Sequence, residues 1–273
     1  MIQEKATLSR SANLDNLLLF QARYQHFRFD RHFHDEFALG VMEHGVQKFH
    51  CRGIEQCAPK GTLITVNPDE IHDGMSADQG EFRYRILYIP YALLQRIGHG
   101  MVAEGRSHCF KNPVTFDRQL AIKLSALFMM QADPQSEVLE LQSCLYPIVA
   151  TILSRHGTER DRLPCYTKKP QPVAKACEFI NDLAQEPLTL DDIASAAALS
   201  RYHFLRLFSD AMGVSPYAFL LHRRLQIARE QIRAGCSLAD AALAAGFADQ
   251  SHMSKKFKAA YGITPRQYQK AVC

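Results

Sequence analysis

The sequence predicts an α+β chain in two parts. A small β-barrel or jelly roll with a helical pair behind it comes first; an all-α region of two helix-turn-helix units joined by a long helix follows. Three observations carry this. From about residue 20 to 90 the apolar period is near two, with breaks at Gly45, Gly53, Gly61, Pro68 and Gly74, which marks short strands between turns. After Pro90 the period lengthens to that of helices. From Thr189 onward one helical plan occurs twice. At 273 residues, 47% of them apolar, the chain is long enough to bury two cores.

Taken in order, residues 1 to about 15 read as a polar arm, with a short apolar run at Leu17 to Phe20. Candidate strands are Phe20–Phe29, Phe37–Glu43, Val46–Cys51, Thr62–Val66 and Glu81–Ile89, and EHGVQ at 43–47 reads as a tight hairpin. Many short strands with Gly/Pro turns suit a barrel. YALLQRIG (91–98) is a short helix and HCFKNPVTF (108–116) an extended return strand. Helices follow at Asp117–Met130 and Ser136–His156, with apolar faces that include Leu120, Leu124, Leu127, Leu141, Leu145 and Ile152. Two readings of this helical pair stand: a dimer interface, or packing on its own barrel. In GTERDRLPCYTKKPQ (157–171) the apolar period is lost and charges and prolines gather, as in an interdomain linker. The expected domains are therefore 1–156, a linker at 157–171, and 172–273.

The second part turns on SLADAALAAGFADQSHMSKKFKAAYGITPRQY, 237–268. Ser237 is a good N-cap, Gly246 suits a helix C-terminus, and Asp249 can cap a second helix running to about Tyr261. Met253, Phe257 and Ala260 form its apolar stripe, and the other face carries amides, hydroxyls and lysines. Upstream, TLDDIASAAALSRYHFLRLFSDAMGVSPYAF repeats the plan. Thr189 stands for Ser237, Asp192 for Asp240 and Leu199 for Phe247 at an offset of 48. His203 then matches His252, Phe208 matches Phe257, Gly213 matches Gly262 and Pro216 matches Pro265 at 49. The helix from Pro216 to Ala234 joins the units and holds the two heads roughly 28 Å apart end to end, near the ~34 Å turn of B-DNA.

The double helix-turn-helix, the segment GFADQSHMSKKFKAAYGITPRQY and the linking RRLQIAREQI resemble the AraC/XylS family of transcription regulators, densely from Pro172 to Tyr268. The resemblance implies recognition helices over about Arg201–Met212 and Gln250–Tyr261. It places base-facing positions at Tyr202, His203, Leu205 and Arg206 and at Gln250, Ser251, His252 and Lys255. Side-chain chemistry agrees in part: Arg suits guanine, Gln suits adenine, and an aliphatic such as Leu205 touches only a thymine methyl. His203 and His252 stay open between base reading and packing or phosphate positioning. Lys256, Lys258, Arg223 and Arg224 read as phosphate contacts or plain surface.

Formal charge is only +4, and Gln171 to Cys273 holds 12 Lys/Arg against 9 Asp/Glu, so DNA affinity must come from placed charges. Eight cysteines form no C-x-x-C pair, which suggests neither a zinc ribbon nor a redox dithiol. With no signal peptide or long apolar span, a cytoplasmic protein with no membrane partner is expected.

The barrel holds one constellation with chemical potential: His32-Phe33-His34-Asp35-Glu36, and His72 in NPDEIHDG. Alternate strand residues share a face, so His32 and His34 are expected to point inward with His72 opposite. The layout, with the Pro59-Lys60-Gly61 turn, resembles a cupin. The cupin metal motif, however, wants a Glu where Ala38 and Leu39 stand. No metal and no cofactor are expected. His32, His34, Glu36 and His72 are taken as the polar rim of an effector pocket, against a divalent-metal site and against ordinary surface histidines. Two function classes follow. One is an effector-responsive regulator, activator or repressor; its partners are double-stranded promoter DNA, a small-molecule effector, a homodimer mate and, by family resemblance, RNA polymerase. The other is a barrel enzyme tethered to a DNA reader. Two complete reading heads and the missing Glu favour the regulator, so no enzyme is expected.

Overall fold

Antiparallel pairing organises the first half of the chain and helix capping the second. The computed structural model describes residues 3–99, 101, 106–161 and 169–273. The chain divides into two compact units, Met1–Phe29 with His34–Arg162, and Asp30–Phe33 with Leu163–Cys273. Within the expected linker, residues 162–168 lie outside the described residues.

The strands of the first half are β1 (Lys5–Ser11), β2 (Leu17–Tyr24), β3 (Phe29–His32), β4 (Phe37–His44), β5 (Val46–Cys51), β6 (Ile54–Pro59), β7 (Leu63–Val66), β8 (His72–Ser76) and β9 (Phe82–Ile89). Then come α1 (Tyr91–Ile97), β10 (Arg106–Phe110), β11 (Val114–Thr115), α2 (Arg118–Ala132), α3 (Val138–His156) and β12 (Gly157–Asp161). Six strands form one sheet in the order β1-β2-β9-β4-β7-β11, four form a second, β3-β8-β5-β6, and β10 pairs with β12. Alternation sorts the larger sheet's side chains onto two faces. Leu19, Leu39, Val41 and Leu87 pack into one core with Leu120, Leu124, Leu127, Leu145 and Ile152 of α2 and α3. The opposite face buries rings: Phe20, Tyr24 and Phe82 each lie about 6 Å from a neighbouring aromatic centroid, and Tyr24 stacks on Phe27 at 4.7 Å. A one-residue slip would exchange the two faces, so both cores fix the register.

Three expectations need correction. EHGVQ is not a hairpin: β4 pairs with β7 and β9 while β5 pairs with β6 and β8, so the chain changes sheets at Gly45. Gly45 has φ +68, and a Cβ there would run into the Glu81 carbonyl. The true hairpin is β5–β6, closed by Arg52 and Gly53, both left-handed (φ 56 and 75) and flanked by the Cys51–Ile54 pair, a type I′ signature. The polar arm contains β1, paired along its length with β2. The first five residues of the expected linker are β12, in register with β10 from Arg106–Asp161 to Phe110–Gly157.

The second unit holds α4 (Gln171–Asp182), α5 (Leu190–Ala196), α6 (Arg201–Met212), α7 (Pro216–Arg233), α8 (Leu238–Ala244), α9 (Gln250–Tyr261) and α10 (Pro265–Val272). The recognition helices run over the expected residues. The sequence repeat is also a repeat of caps. Thr189 and Ser237 each accept from the N–H three residues on, at 3.2 and 3.1 Å. Gly213 and Gly262 end α6 and α9 with φ of 74 and 73. Ser215 and Thr264 cap the helices that open with Pro216 and Pro265. At 18 residues, α7 is about 27 Å long. Phe204 and Phe208 of α6 and Met253 and Phe257 of α9 are fully buried at matching positions.

Candidate nucleic-acid interface and effector site

Each recognition helix buries one stripe and offers the other. On α6, Phe204, Phe208 and Met212 turn inward while Arg201, Tyr202, His203, Leu205 and Arg206 are exposed. Tyr202 is 81% exposed and Leu205 37%. Tyr202, at such exposure on a helix whose other face is full, gains little from the core and is available to a partner, as is the exposed edge of Leu205. Arg206 reaches only to Asp210, at 4.0 Å, with both side chains about three-quarters exposed. Such a pair holds almost nothing in place, so the guanidinium can turn to a base. On α9, Gln250, Ser251 and Lys255 are exposed, and Asp249 fixes the helix start by accepting from the His252 N–H at 2.7 Å.

His252 differs from its partner in the repeat. Its ring is half-buried and meets Phe247 edge-on at 5.4 Å, whereas His203 is exposed. The imidazole of the second head thus contributes to packing at the turn. Arg224 is structural as well: its Nε and Nη2 donate to the carbonyls of Ala184 and Glu186 at 2.7 and 2.8 Å. Burial lowers its pKa from the ordinary arginine value. Arg223 donates to Gln226 Oε1 at 2.7 Å. One exposed cation escaped the sequence reading. Arg201, the first residue of α6, lies 3.0 Å from Asp191 on α5. Its signal was present, since an offset of 49 pairs Arg201 with Gln250.

In the barrel unit, two of the four rim residues meet through their rings. The His34 and His72 centroids are 5.0 Å apart, edge to face, and Tyr88 lies 5.3 Å from His34. Each imidazole is oriented by main chain: His34 Nδ1 lies 2.6 Å from the Glu36 carbonyl and His72 Nδ1 2.8 Å from the Glu70 carbonyl. A carbonyl only accepts, so each Nδ1 carries a proton. Burial lowers the His72 pKa, and the Glu70 carbonyl opposes it in part, so His72 is neutral near pH 7. The turn carrying His72 is tied to His34 by the Asp69 N–H, which donates to the His34 carbonyl at 3.0 Å. Asp69 is left-handed there, with φ 62.

Strand alternation does not run from His32 to His34. β3 ends at His32 and β4 starts at Phe37, so His34 sits in the connection between them. His32 groups with the second unit, its Nδ1 2.8 Å from the Asp30 carbonyl. Glu36 is buried and positions His34 through its main chain. Beyond the pair, the Tyr24 and Tyr84 phenols are held well above the ordinary tyrosine range, by burial first and then by nearby phenols that include Tyr88. Among the described residues no group of three or more His, Cys, Asp or Glu is placed to hold a metal ion. No helix among them is long and apolar enough to cross a membrane.

Two family models match the chain: an AraC-like ligand binding domain over 16–146 and a helix-turn-helix domain over 193–271. An uncharacterized HTH-type transcriptional regulator of Bacillus subtilis, YbfI, is 28% identical over 226 residues, 83% of this chain and 82% of its own. The regulatory protein PocR of Salmonella typhimurium is 27% identical over 137 residues, 48% of this chain and 45% of its own. The chain thus spans most of the first relative and less than half of the second. Among solved structures, an apo form of ToxT from Vibrio cholerae, carrying one substitution, superposes with a TM-score of 0.55 at 13% identity, over 94% of this chain and 98% of that one. Wild-type ToxT bound to an unsaturated fatty acid gives 0.54 at 13% identity, over 100% and 98%. At this identity the likeness concerns the fold.

Proposed function

The chain belongs to the AraC/XylS family of transcriptional regulators, and from that premise we propose that it binds promoter DNA through two helix-turn-helix heads under the control of a small molecule held in its barrel. The observation that carries this reading is the matched pair of heads, capped alike and each presenting polar side chains on its outer face. In the first head Tyr202, His203, Leu205 and Arg206 face the major groove; in the second, Gln250, Ser251, His252 and Lys255 do. His252 acts mainly by holding the start of α9 against Phe247. Effector binding beside His34 and His72, with Glu36 orienting His34 and His32 marking the end of β3, shifts the population between two arrangements of the chain. The helical pair α2–α3 joins two copies. The output is activation through contact with RNA polymerase, with repression as the alternative sign. Membership of a regulator family weighs against the tethered barrel enzyme, and the protein works in the cytoplasm.

Selection from a random duplex library by the full chain tests the DNA half. The enriched site should carry two clusters of fixed bases roughly one helical turn apart. A single cluster would leave one head idle, and no enrichment would end the reading. For the effector half, a thermal-shift screen of the full chain should find one organic class that raises the midpoint with or without chelator. His34→Ala and His72→Ala should each abolish that rise. A rise that needs metal would point back to the enzyme.

A further inference from the structure

We propose that Arg201 is a phosphate-contacting residue of the first head and that Asp191 holds it in a latch which DNA must open. The inference rests on the DNA-binding reading above. Arg201 is the first residue of α6, where a recognition helix meets DNA, and Asp191 lies in the first turn of α5, the helix that crosses the backbone. Their side chains meet at 3.0 Å while both stay about two-thirds exposed. The carboxylate therefore occupies, beside the guanidinium, the place a backbone phosphate would take. Asp191 adds a favourable charge to the first turn of α5 but is not a member of its capping box. Thr189 and Asp192 form the capping box of α5 by themselves, with Thr189 N–H donating to Asp192 Oδ2 at 2.8 Å.

The second head shows the same place without the latch. At the offsets of the repeat, Ala239 stands for Asp191 and Gln250 for Arg201. These two residues, with Ser237 and Arg266, line an open notch of about 500 Å³. One head thus offers an open notch with Arg266 at its wall, while at the matching place of the other an exposed ion pair stands. An exposed pair of this kind is weak, so DNA can break it at a small cost to the affinity of the first head.

Asp191→Asn tests this in the full chain with a random-sequence 30-bp duplex as probe. The variant should bind about three- to tenfold more tightly near 0.1 M salt, because Arg201 then reaches the phosphate without first leaving Asp191, and its log K against log salt should keep the wild-type slope. The double variant Asp191→Asn/Arg201→Ala should lose that gain, and its slope should flatten by about 0.9, the phosphate contact of Arg201. Thermal melting would check that the single variant stays folded, and a gain in affinity is in any case not what a damaged fold produces. Unchanged affinity in Asp191→Asn would overturn the latch. So would a gain that survives in the double variant, because Asp191 would then be acting on DNA without Arg201. A wild-type chain that bound no duplex would overturn the DNA-binding reading itself, and the latch with it.

Discussion

Phe257→Ala is expected to destabilise the helix-turn-helix unit by about 3–5 kcal/mol, through lost transfer energy and the cavity left behind. Phe257 is fully buried on α9, with its ring centroid 4.8 Å from Tyr261 and 5.5 Å from Tyr268. Those two tyrosines are themselves covered by the Arg229 guanidinium, 5.2 and 5.4 Å from their ring centres. Truncating the phenyl ring removes the floor of a stack that fixes α9 against α7 and α10. Since a domain is held by only about 5–15 kcal/mol, this loss takes a large part of the stability of the unit. Denaturant unfolding followed by circular dichroism should show an earlier transition for the helical unit while the barrel transition keeps its midpoint. A cost below about 1 kcal/mol would mean that the neighbours close the cavity, and that the stripe of Met253, Phe257 and Ala260 is not the support of the second head.

The stripe that makes this prediction was plain in the sequence, and so were both recognition helices. Amphipathic helices report themselves, because one face must be apolar over several turns, and here caps at Ser237, Asp249 and Thr264 mark the ends. The first turn hid one feature. Ala198, which stands for Gly246 at an offset of 48, is left-handed with φ 55 against 78 for the glycine. An alanine gives no sign of that conformation, and only the repeat would have exposed it.

The barrel was harder to read where strands lie at edges. β1 (KATLSRS) and β6 (IEQCAP) each pair on one side only and are largely exposed, so no apolar alternation announces them. β12 (GTERD) is as polar as a linker, and its partner β10 lies some 50 residues earlier. Pairing over such a separation leaves no local trace. At the effector site, the HFHDE motif drew attention to the correct neighbourhood. Strand alternation could not carry from His32 to His34, because the break between β3 and β4 falls inside the motif.

Arg206→Ala and Lys255→Ala are expected to cost about 1–3 kcal/mol each on the selected duplex, at the base each one reads. They stand on different helices, α6 and α9. The two losses should therefore add within about 0.5 kcal/mol, and the double variant should lose roughly two to four powers of ten in affinity. Arg206 offers a planar fork that suits guanine O6 and N7, and its tie to Asp210 at 4.0 Å is too weak to compete. Lys255 brings a single ammonium, so its discrimination should be the smaller of the two. Competition with random duplex decides what kind of contact each makes. A base reader loses affinity for the selected site alone and relaxes the preference at one position. A phosphate contact loses equally on both DNAs and flattens the salt dependence by about one unit. Equal losses for Arg206→Ala would leave the first head with Tyr202, Leu205 and groove shape as its means of selection, and base specificity would then rest on Gln250 and Ser251 of the second.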